Sequence, residues 1–345
     1  YRPIPKRVNV SFIANILSLS LEQYLTKNLK DEQLPIVFSL SEQGLTLGDS
    51  DLPKPTTTEQ IELVVFQQLS LTLLLALQIH AQLKITVLTT INHRNNQTSC
   101  RFQVNCSDFM QARKALADFA LANNIEAALL KQVPTLSEPG LLVMDMDSTT
   151  IEIECIDEIA KLAGVGDEVA EVTERAMLGE LDFAQSLHQR VATLADSPTT
   201  ILSDVAKDIP LMPGLKPLIT ELKKHNWRIA IASGGFTYFA DHLKETLNLD
   251  AAFANTLEII DGKLTGKVLG DVVDAQVKAD SLAILSKKYQ IPTNQTVAMG
   301  DGANDLIMMA AANFGVAFHA KPIVLAQADS SINVQGLDCL LHWLA

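Results

Sequence analysis

Residues 141–150 constrain the chain more than any other stretch. Leu141-Leu142-Val143-Met144 is a continuous apolar run, and Asp145-Met146-Asp147-Ser148-Thr149-Thr150 follows it without a break. A short run with no polar alternation reads as a strand covered on both faces, the habit of parallel sheets. A buried strand ending in Asp-x-Asp delivers two carboxylates to the sheet edge, where the carboxyl ends of parallel strands form ligand crevices. A strand followed by an ordinary polar turn fits the same residues, because Asp, Ser and Thr are also turn and cap formers. The rest of the chain decides between the two.

The 345 residues are 48% hydrophobic, enough for two domains with cores of their own. The formal net charge of -13 is unevenly spread: residues 1–140 carry 12 Lys+Arg and 12 Asp+Glu, whereas residues 141–345 carry 15 and 28. That asymmetry predicts two units with different jobs. An acidic balance argues against a nucleic-acid partner, for which basic patches supply most of the affinity. Cys100, Cys106, Cys155 and Cys339 are scattered without a CxxC pair, so they read as small core residues in a reducing compartment. No apolar run approaches the ~20 residues needed to span a bilayer. The densest, Leu69 to Leu88, is interrupted by Ser70, Gln78, His80, Gln82 and Lys84. The expectation is a cytoplasmic protein with no membrane partner and, by base rate, a homodimer. The first residue is Tyr1 rather than Met, which suggests a trimmed N-terminus.

Residues 1–135 read as a small α+β domain. Val8 to Leu21 is apolar and mixed, Ile36 to Leu40 reads as a strand, and Asp51-Leu-Pro-Lys-Pro as a connector. Residues 61–90 predict a helix and then a strand from Lys84 to Thr90. A polar loop from His93 to Ser99, a short strand at Arg101 to Asn105, a capped amphipathic helix from Ser107 and a strand over Ile125 to Lys131 follow. His80 and His93 lack metal-ligand spacing. Gln132 to Gly140, with two prolines and a terminal glycine, reads as the linker to a second domain over 140–345.

After the Asp-x-Asp strand the pattern turns wholly helical. Glu154 to Leu162 ends at Gly164, Asp167 to Leu178 ends at Gly179, Asp182 with Gln185 has capping-box spacing ahead of a helix to Leu194, and Ser197-Pro198 opens another. Helices without intervening strands predict an inserted helical cap over about 153–212. From Pro213-Gly214 the pattern alternates again. It gives a helix to His225, a strand Arg228 to Ala232 ending in a Ser233-Gly234-Gly235-Phe236 loop, and a helix to Leu247. A hairpin at Asp261-Gly262, a helix from Ala275 to Tyr289, a strand from Thr296, a strand over Gly315 to Phe318 and one closing helix complete it. Strands alternating with helices imply a mostly parallel α/β sheet with right-handed crossovers.

Three strands thus end in polar loops: Asp145/Asp147, Ser233-Gly234-Gly235, and Asp301 with Asn304 and Asp305. In a doubly wound sheet these loops share one edge. Converging carboxylates call for a cation between them, and all-oxygen ligation in a small site suits Mg²⁺ with a phosphate-bearing substrate. Lys278, at the start of its helix, would add a point charge for that phosphate, although the sequence alone favours an ordinary solvated lysine. With no P-loop and no Ser-His pair, the candidate nucleophile for phosphoryl transfer is a carboxylate, and the second Asp can serve as proton donor and acceptor.

These motifs, Asp145-Met-Asp-Ser-Thr, Ser233-Gly-Gly-Phe, Lys278 and Gly300-Asp-Gly-Ala-Asn-Asp, resemble the ordered motifs of the haloacid dehalogenase (HAD) superfamily. Together with Glu154, Phe183-Ala-Gln-Ser-Leu, Arg190-Val and Ala317-Phe-His-Ala-Lys-Pro322, they are similar to its phosphoserine phosphatase branch, the last step of L-serine biosynthesis. The resemblance covers 141–345 and implies a HAD-like Rossmannoid sheet with a helical cap. It implies Asp145 as nucleophile and Asp147 as acid/base. It further implies Mg²⁺ on the Asp145 carboxylate, the Asp147 carbonyl and Asp301, with Asp305 behind. Ser233, Gly234, Lys278 and Asn304 would contact the phosphoryl group, and Glu154 and Arg190 the amino acid. Phosphoserine carries an ammonium and a carboxylate, which one acid and one arginine on the cap would match. Residues 1–135 match only loosely the amino-acid-binding ACT extension of longer members. They leave open a sensing role, just as the site leaves open phosphothreonine or a phosphoprotein as substrate. A net charge of -13 repels any phosphorylated ligand, so attraction must be local.

Overall fold

The structure is a computed structural model that describes residues 16–29, 34–42, 44–48, 60–177 and 180–345. The stretch before residue 16, the connector expected at 51–55 and the end of the second cap helix at 178–179 lie outside the described residues. The chain divides into two compact units.

The first unit takes residues up to Val133 together with Asn333–Gln335 and Cys339–Trp343, C-terminal segments that the sequence reading grouped with the second domain. Its sheet has the order β2-β1-β4-β5-β3-β6, built from β1 (Ile36–Ser41), β2 (Gly44–Gly48), β3 (Ile61–Phe66), β4 (Lys84–Arg94), β5 (Gln97–Asn105) and β6 (Ala127–Lys131). All its pairings are antiparallel. With helices Leu71–His80 and Phe109–Ala122, the run from β3 to β6 is a split βαβ unit. Two expectations change here. Ile61–Phe66 is a strand rather than the start of a helix: Ile-Glu-Leu-Val-Val-Phe is rich in β-branched and aromatic residues and lies between two neighbours in the sheet. The polar loop at 93–99 is a tight hairpin, with Asn95 and Asn96 at φ 45° and 59° joining β4 to β5. Glu126 anchors the C-terminal segment, its buried carboxylate accepting from the backbone N–H groups of Asn333, Val334 and Gln335 at 2.8–3.2 Å.

The second unit holds a seven-stranded sheet of order β10-β9-β8-β7-β11-β12-β13. Its strands are β7 (Leu141–Met144), β8 (Arg228–Phe236), β9 (Ala251–Ile260), β10 (Lys263–Leu269), β11 (Thr296–Gly300), β12 (Phe314–Phe318) and β13 (Ser330–Ile332). Every pair is parallel except the β9–β10 hairpin. That hairpin turns at Asp261 and Gly262, both with positive φ, as the Asp-Gly pair demands. The four β7 side chains are fully buried, so the apolar run is the centre of the sheet, between β8 and β11. The C-terminal end is more divided than expected: helix Pro322–Gln327 and edge strand β13, then a short helix Leu340–Trp343 that belongs to the first unit, replace one closing helix.

Helices Cys155–Ala163, Gly166–Met177, Phe183–Ala192 and Thr200–Ala206 interrupt the alternation after β7. The chain leaves and re-joins the core on paired segments: Glu152 N–H donates to Pro210 O and Met212 N–H to Thr150 O, both at 3.0 Å. A second strip of backbone bonds joins Asp196, Ser197 and Thr199 to Gly262 and Leu264 of the hairpin. The capping box at Asp182 and Gln185 forms as the spacing predicts and fixes the start of the helix that carries Arg190. No described helix is long and apolar enough to cross a membrane.

Candidate active site

Three neighbouring strands, β8, β7 and β11, end side by side, and each end supplies part of one site. Asp145 follows β7 directly, and its N–H donates to Met299 O at 2.9 Å, which locks it beside β11. Asp301 follows β11. Ser233, Gly234 and Gly235 do not form the loop that the sequence suggests. They remain within β8 as a bulge, between the Ala232–Phe253 and Phe236–Asn255 pairs. A bulge turns the backbone of those residues out of the ladder and toward the crevice. Asn255 holds it there by donating to Gly234 O and accepting from Val273 N–H, both at 2.8 Å.

A cavity of about 170 Å³ lies against these ends, roofed by the cap. Asp145, Asp147, Glu154, Arg190, Ser233, Gly234, Asp301 and Asn304 all line it, so eight of the residues singled out from sequence come together. Lys278 does not line it. Its ammonium is 1% exposed, behind the Asp145 carboxylate, 2.9 Å from Asp145 Oδ1 and 2.8 Å from Asp305 Oδ1. Asp145 Oδ1 also accepts from Met146 N–H at 2.7 Å, which leaves Oδ2 without a protein donor among the described residues. Glycine at 235 is required by close approach: a Cβ there would lie 2.8 Å from Asp147 Oδ2 and 2.7 Å from Met146 Cε.

The three hydroxyls after Asp-x-Asp each hold a different member of the site. Ser148 donates to Glu154 Oε1 at 2.6 Å, Thr149 to Asp301 Oδ1 at 3.2 Å and Thr150 to the Asp145 carbonyl at 2.6 Å. The turn that aims them wraps back on Met146 O, which accepts from the N–H groups of residues 149, 150 and 151, and Ser148 adopts φ 56° to close it. Asp147 Oδ1 accepts from Cys155 N–H, the first residue of the cap helix, at 3.1 Å. Sequence inspection registers these hydroxyls as turn formers. Their partners, and Asn255, become visible only when the elements meet.

Electrostatically the site is short of positive charge. Burial, then the Asp305 charge, raises the Asp145 carboxyl well above its ordinary range against the pull of Lys278. Burial and Glu154 push Asp147 up to about 7, and burial, Asp305 and Glu154 push Asp301 to about 6. Asp145, Asp301 and Asp305 each offer a carboxylate oxygen within 4.8 Å of the others. Under-neutralised oxygen donors at this spacing fit a hard divalent cation. Cys155, beside Asp147, is no rival nucleophile, because burial and the neighbouring carboxylates drive its thiol far above the ordinary range.

A carboxylate at the end of the central parallel strand, a second Asp two residues on, a buried Lys and a helical cap define a HAD-type hydrolase. The chain belongs to the haloacid dehalogenase-like hydrolase family, whose sequence pattern matches residues 140–313. More particularly, it is 61% identical over 216 residues to a phosphoserine phosphatase of Vibrio cholerae, a match that takes in 63% of this chain and 66% of that one. A phosphoserine phosphatase of Haemophilus influenzae is 58% identical over 221 residues, 64% of this chain and 70% of that one. An unliganded crystal structure of a probable phosphoserine phosphatase from Vibrio cholerae is similar with a TM-score of 0.73 and 42% identity, over 95% of this chain and 94% of that one. A substrate-bound phosphoserine phosphatase complex gives a TM-score of 0.57 at 41% identity, over 60% of this chain and 99% of that one.

Proposed function

We propose that the chain is a Mg²⁺-dependent phosphoserine phosphatase, which releases serine and phosphate through an aspartyl phosphate on Asp145. The observation that carries the reading is the convergence of Asp145, Asp147 and Asp301 with the cap residues Glu154 and Arg190 around one small cavity. Asp145 Oδ2 is the oxygen left to attack phosphorus in line, forming an O–P bond as the bond to the serine oxygen breaks. Asp147, raised to about 7, holds the proton that the departing serine oxygen needs. It then takes a proton from the water that cleaves the phosphoaspartate, which returns both carboxyl groups to their starting state. Mg²⁺, held by Asp145, Asp301 and the Asp147 carbonyl, would neutralise the phosphoryl charge when bound. Ser233, Gly234 and Asn304 line the wall where the phosphoryl oxygens would lie. Lys278 orients Asp145 and offsets its charge. Glu154 and Arg190 match the ammonium and carboxylate of the substrate.

The test is Asp145→Asn with ³²P-labelled phosphoserine: both the acid-stable burst of labelled protein and turnover should vanish, and retained turnover would refute the mechanism. Comparing kcat/KM for phosphoserine, phosphothreonine and an aryl phosphate, with and without Mg²⁺, decides the substrate. For the first unit, the split βαβ topology supports an amino-acid-sensing role of ACT type. Calorimetric titration of serine into the full-length Asp145→Asn protein would then find two sites rather than one.

A further inference from the structure

A fourth strand end reaches the same cavity. β12 lies next to β11, and the segment after it, His319-Ala320-Lys321, brings Lys321 into the cavity wall. The backbone fixes that residue closely. His319 sits at φ 44°, a region that residues other than glycine seldom occupy, and its N–H donates to Ile332 O at 2.9 Å. Lys321 N–H donates to the carbonyl of Asp301 at 3.3 Å. Pro322, the first residue of the next helix, holds Lys321 extended at φ -66° and ψ 153°. A strained residue on one side and a proline on the other are costs that a solvent-facing lysine in a free loop would not need.

The charge around the cavity gives this placement its meaning. Four carboxylates line the wall, from Asp145, Asp147, Glu154 and Asp301, against two cations, Arg190 and Lys321. Arg190 belongs to the cap. Lys278 is buried, with its ammonium directed to Asp145 and Asp305. Among the described residues, Lys321 is therefore the cation that the core of the sheet presents to an incoming dianion, and its side chain is exposed. Its charge is felt at the site, since it draws the Asp301 carboxyl downward against the larger effect of burial.

We propose that Lys321 is a phosphate-binding residue: its ammonium holds the substrate's phosphoryl dianion at the core side of the cavity mouth, and inorganic phosphate after hydrolysis. The proposal rests on the reading that the site takes a phosphomonoester. It divides the substrate between two cations, with Lys321 on the phosphate and Arg190 on the carboxylate. A purely structural alternative would have Lys321 serve only as a counter-charge for Asp301.

Inorganic phosphate titrated calorimetrically into the full chain at saturating Mg²⁺ separates the two. Lys321→Met should weaken phosphate binding about tenfold, as expected for losing one exposed charge-assisted contact, and Lys321→Arg should restore most of it. In steady-state assays KM for phosphoserine should rise by a similar factor while kcat falls less than about threefold. Inhibition by serine, which lacks the phosphate, should be unchanged. Phosphate affinity unaltered in Lys321→Met overturns the proposal, as does a loss that strikes serine and phosphate equally. A wild-type protein that ignores phosphoserine while Lys321→Met still loses phosphate would sink the substrate reading and leave Lys321 standing.

Discussion

Lys278 Nζ lies 2.9 Å from Asp145 Oδ1, in a pair almost wholly sheltered from solvent. The same ammonium reaches Asp305, so a single cation compensates two buried carboxylates and fixes the rotamer of the one that faces the cavity. Burial and both carboxylates compete over Lys278: burial alone would lower its pKa, and Asp145 and Asp305 more than reverse that. The lysine therefore stays charged, and its loss exposes Asp145 to Asp305 directly. Lys278→Met should abolish turnover and lower the stability of the Mg²⁺-free protein by about 3–5 kcal/mol, the usual cost of stranding a buried charge. Adding Mg²⁺ should recover part of the loss in thermal unfolding, because it supplies charge to the same carboxylates. An unchanged melting temperature would contradict the ion-pair assignment.

Gly235→Ala tests how tightly the bulge in β8 confines Asp147. The added methyl meets Asp147 Oδ2 and Met146 Cε below 3 Å, so the carboxyl must turn away. A displacement of this order should lower kcat about 100-fold, with a stability cost of only about 1–3 kcal/mol. Measuring kcat beside the melting temperature separates the two effects. Normal kcat would show that Asp147 need not sit where it does.

Arg190→Met distinguishes recognition from chemistry. Arg190 lines the cavity from the cap, its Nε donating to Ser186 O at 3.4 Å, whereas Asp145 is held by Lys278 and Met146 N–H and Asp147 by Cys155 N–H. kcat/KM for phosphoserine should fall by at least about 100-fold, as for a desolvated charge-assisted contact, whereas an aryl phosphate should lose less than about fivefold. Equal losses would count against a carboxylate-reading role.

His342 makes the first unit acid-sensitive. Its Nε2 is 3.1 Å from the Arg94 carbonyl, which can only accept, so Nε2 carries the hydrogen and Nδ1 accepts from Ser99 Oγ at 2.8 Å. Burial foremost, with the Arg94 and Arg101 charges adding to it against the Arg94 carbonyl, takes its pKa from an ordinary 6.5 down to about 4. Between those values the unfolded chain binds a proton that the folded chain refuses. Stability should therefore fall as pH drops from about 6.5 toward 4, by at most about 1.4 kcal/mol per pH unit, with no contribution from His342 above that window. Urea unfolding followed by Trp343 fluorescence in a Trp227→Phe background reads this unit. His342→Asn should remove that part of the slope.

What could be read from the chain alone was whatever local chemistry dictates. The apolar run into Asp145 and Asp147, the capping box that starts the Arg190 helix and the Asp261-Gly262 hairpin each rest on neighbours in sequence, and each forms as its residues require. Strand ends followed by carboxylates at 145 and 301 were legible because a parallel sheet leaves its C-terminal edge as one crevice. Ile61–Phe66 is illegible in sequence for the opposite reason: apolar periodicity is ambiguous over so few residues, and pairing with β5 and β6 decides it. Only the tertiary structure turned Ser233–Gly235 from a loop into a bulge, withdrew Lys278 from the cavity wall and brought Lys321 into it. It alone gave Ser148, Thr149 and Thr150 three separate partners. These are contacts between residues as many as 152 positions apart, set by how the strands lie beside one another. A linear pattern names the side chains that can do chemistry, and the sheet order and the close packing of its edge decide which of them touch.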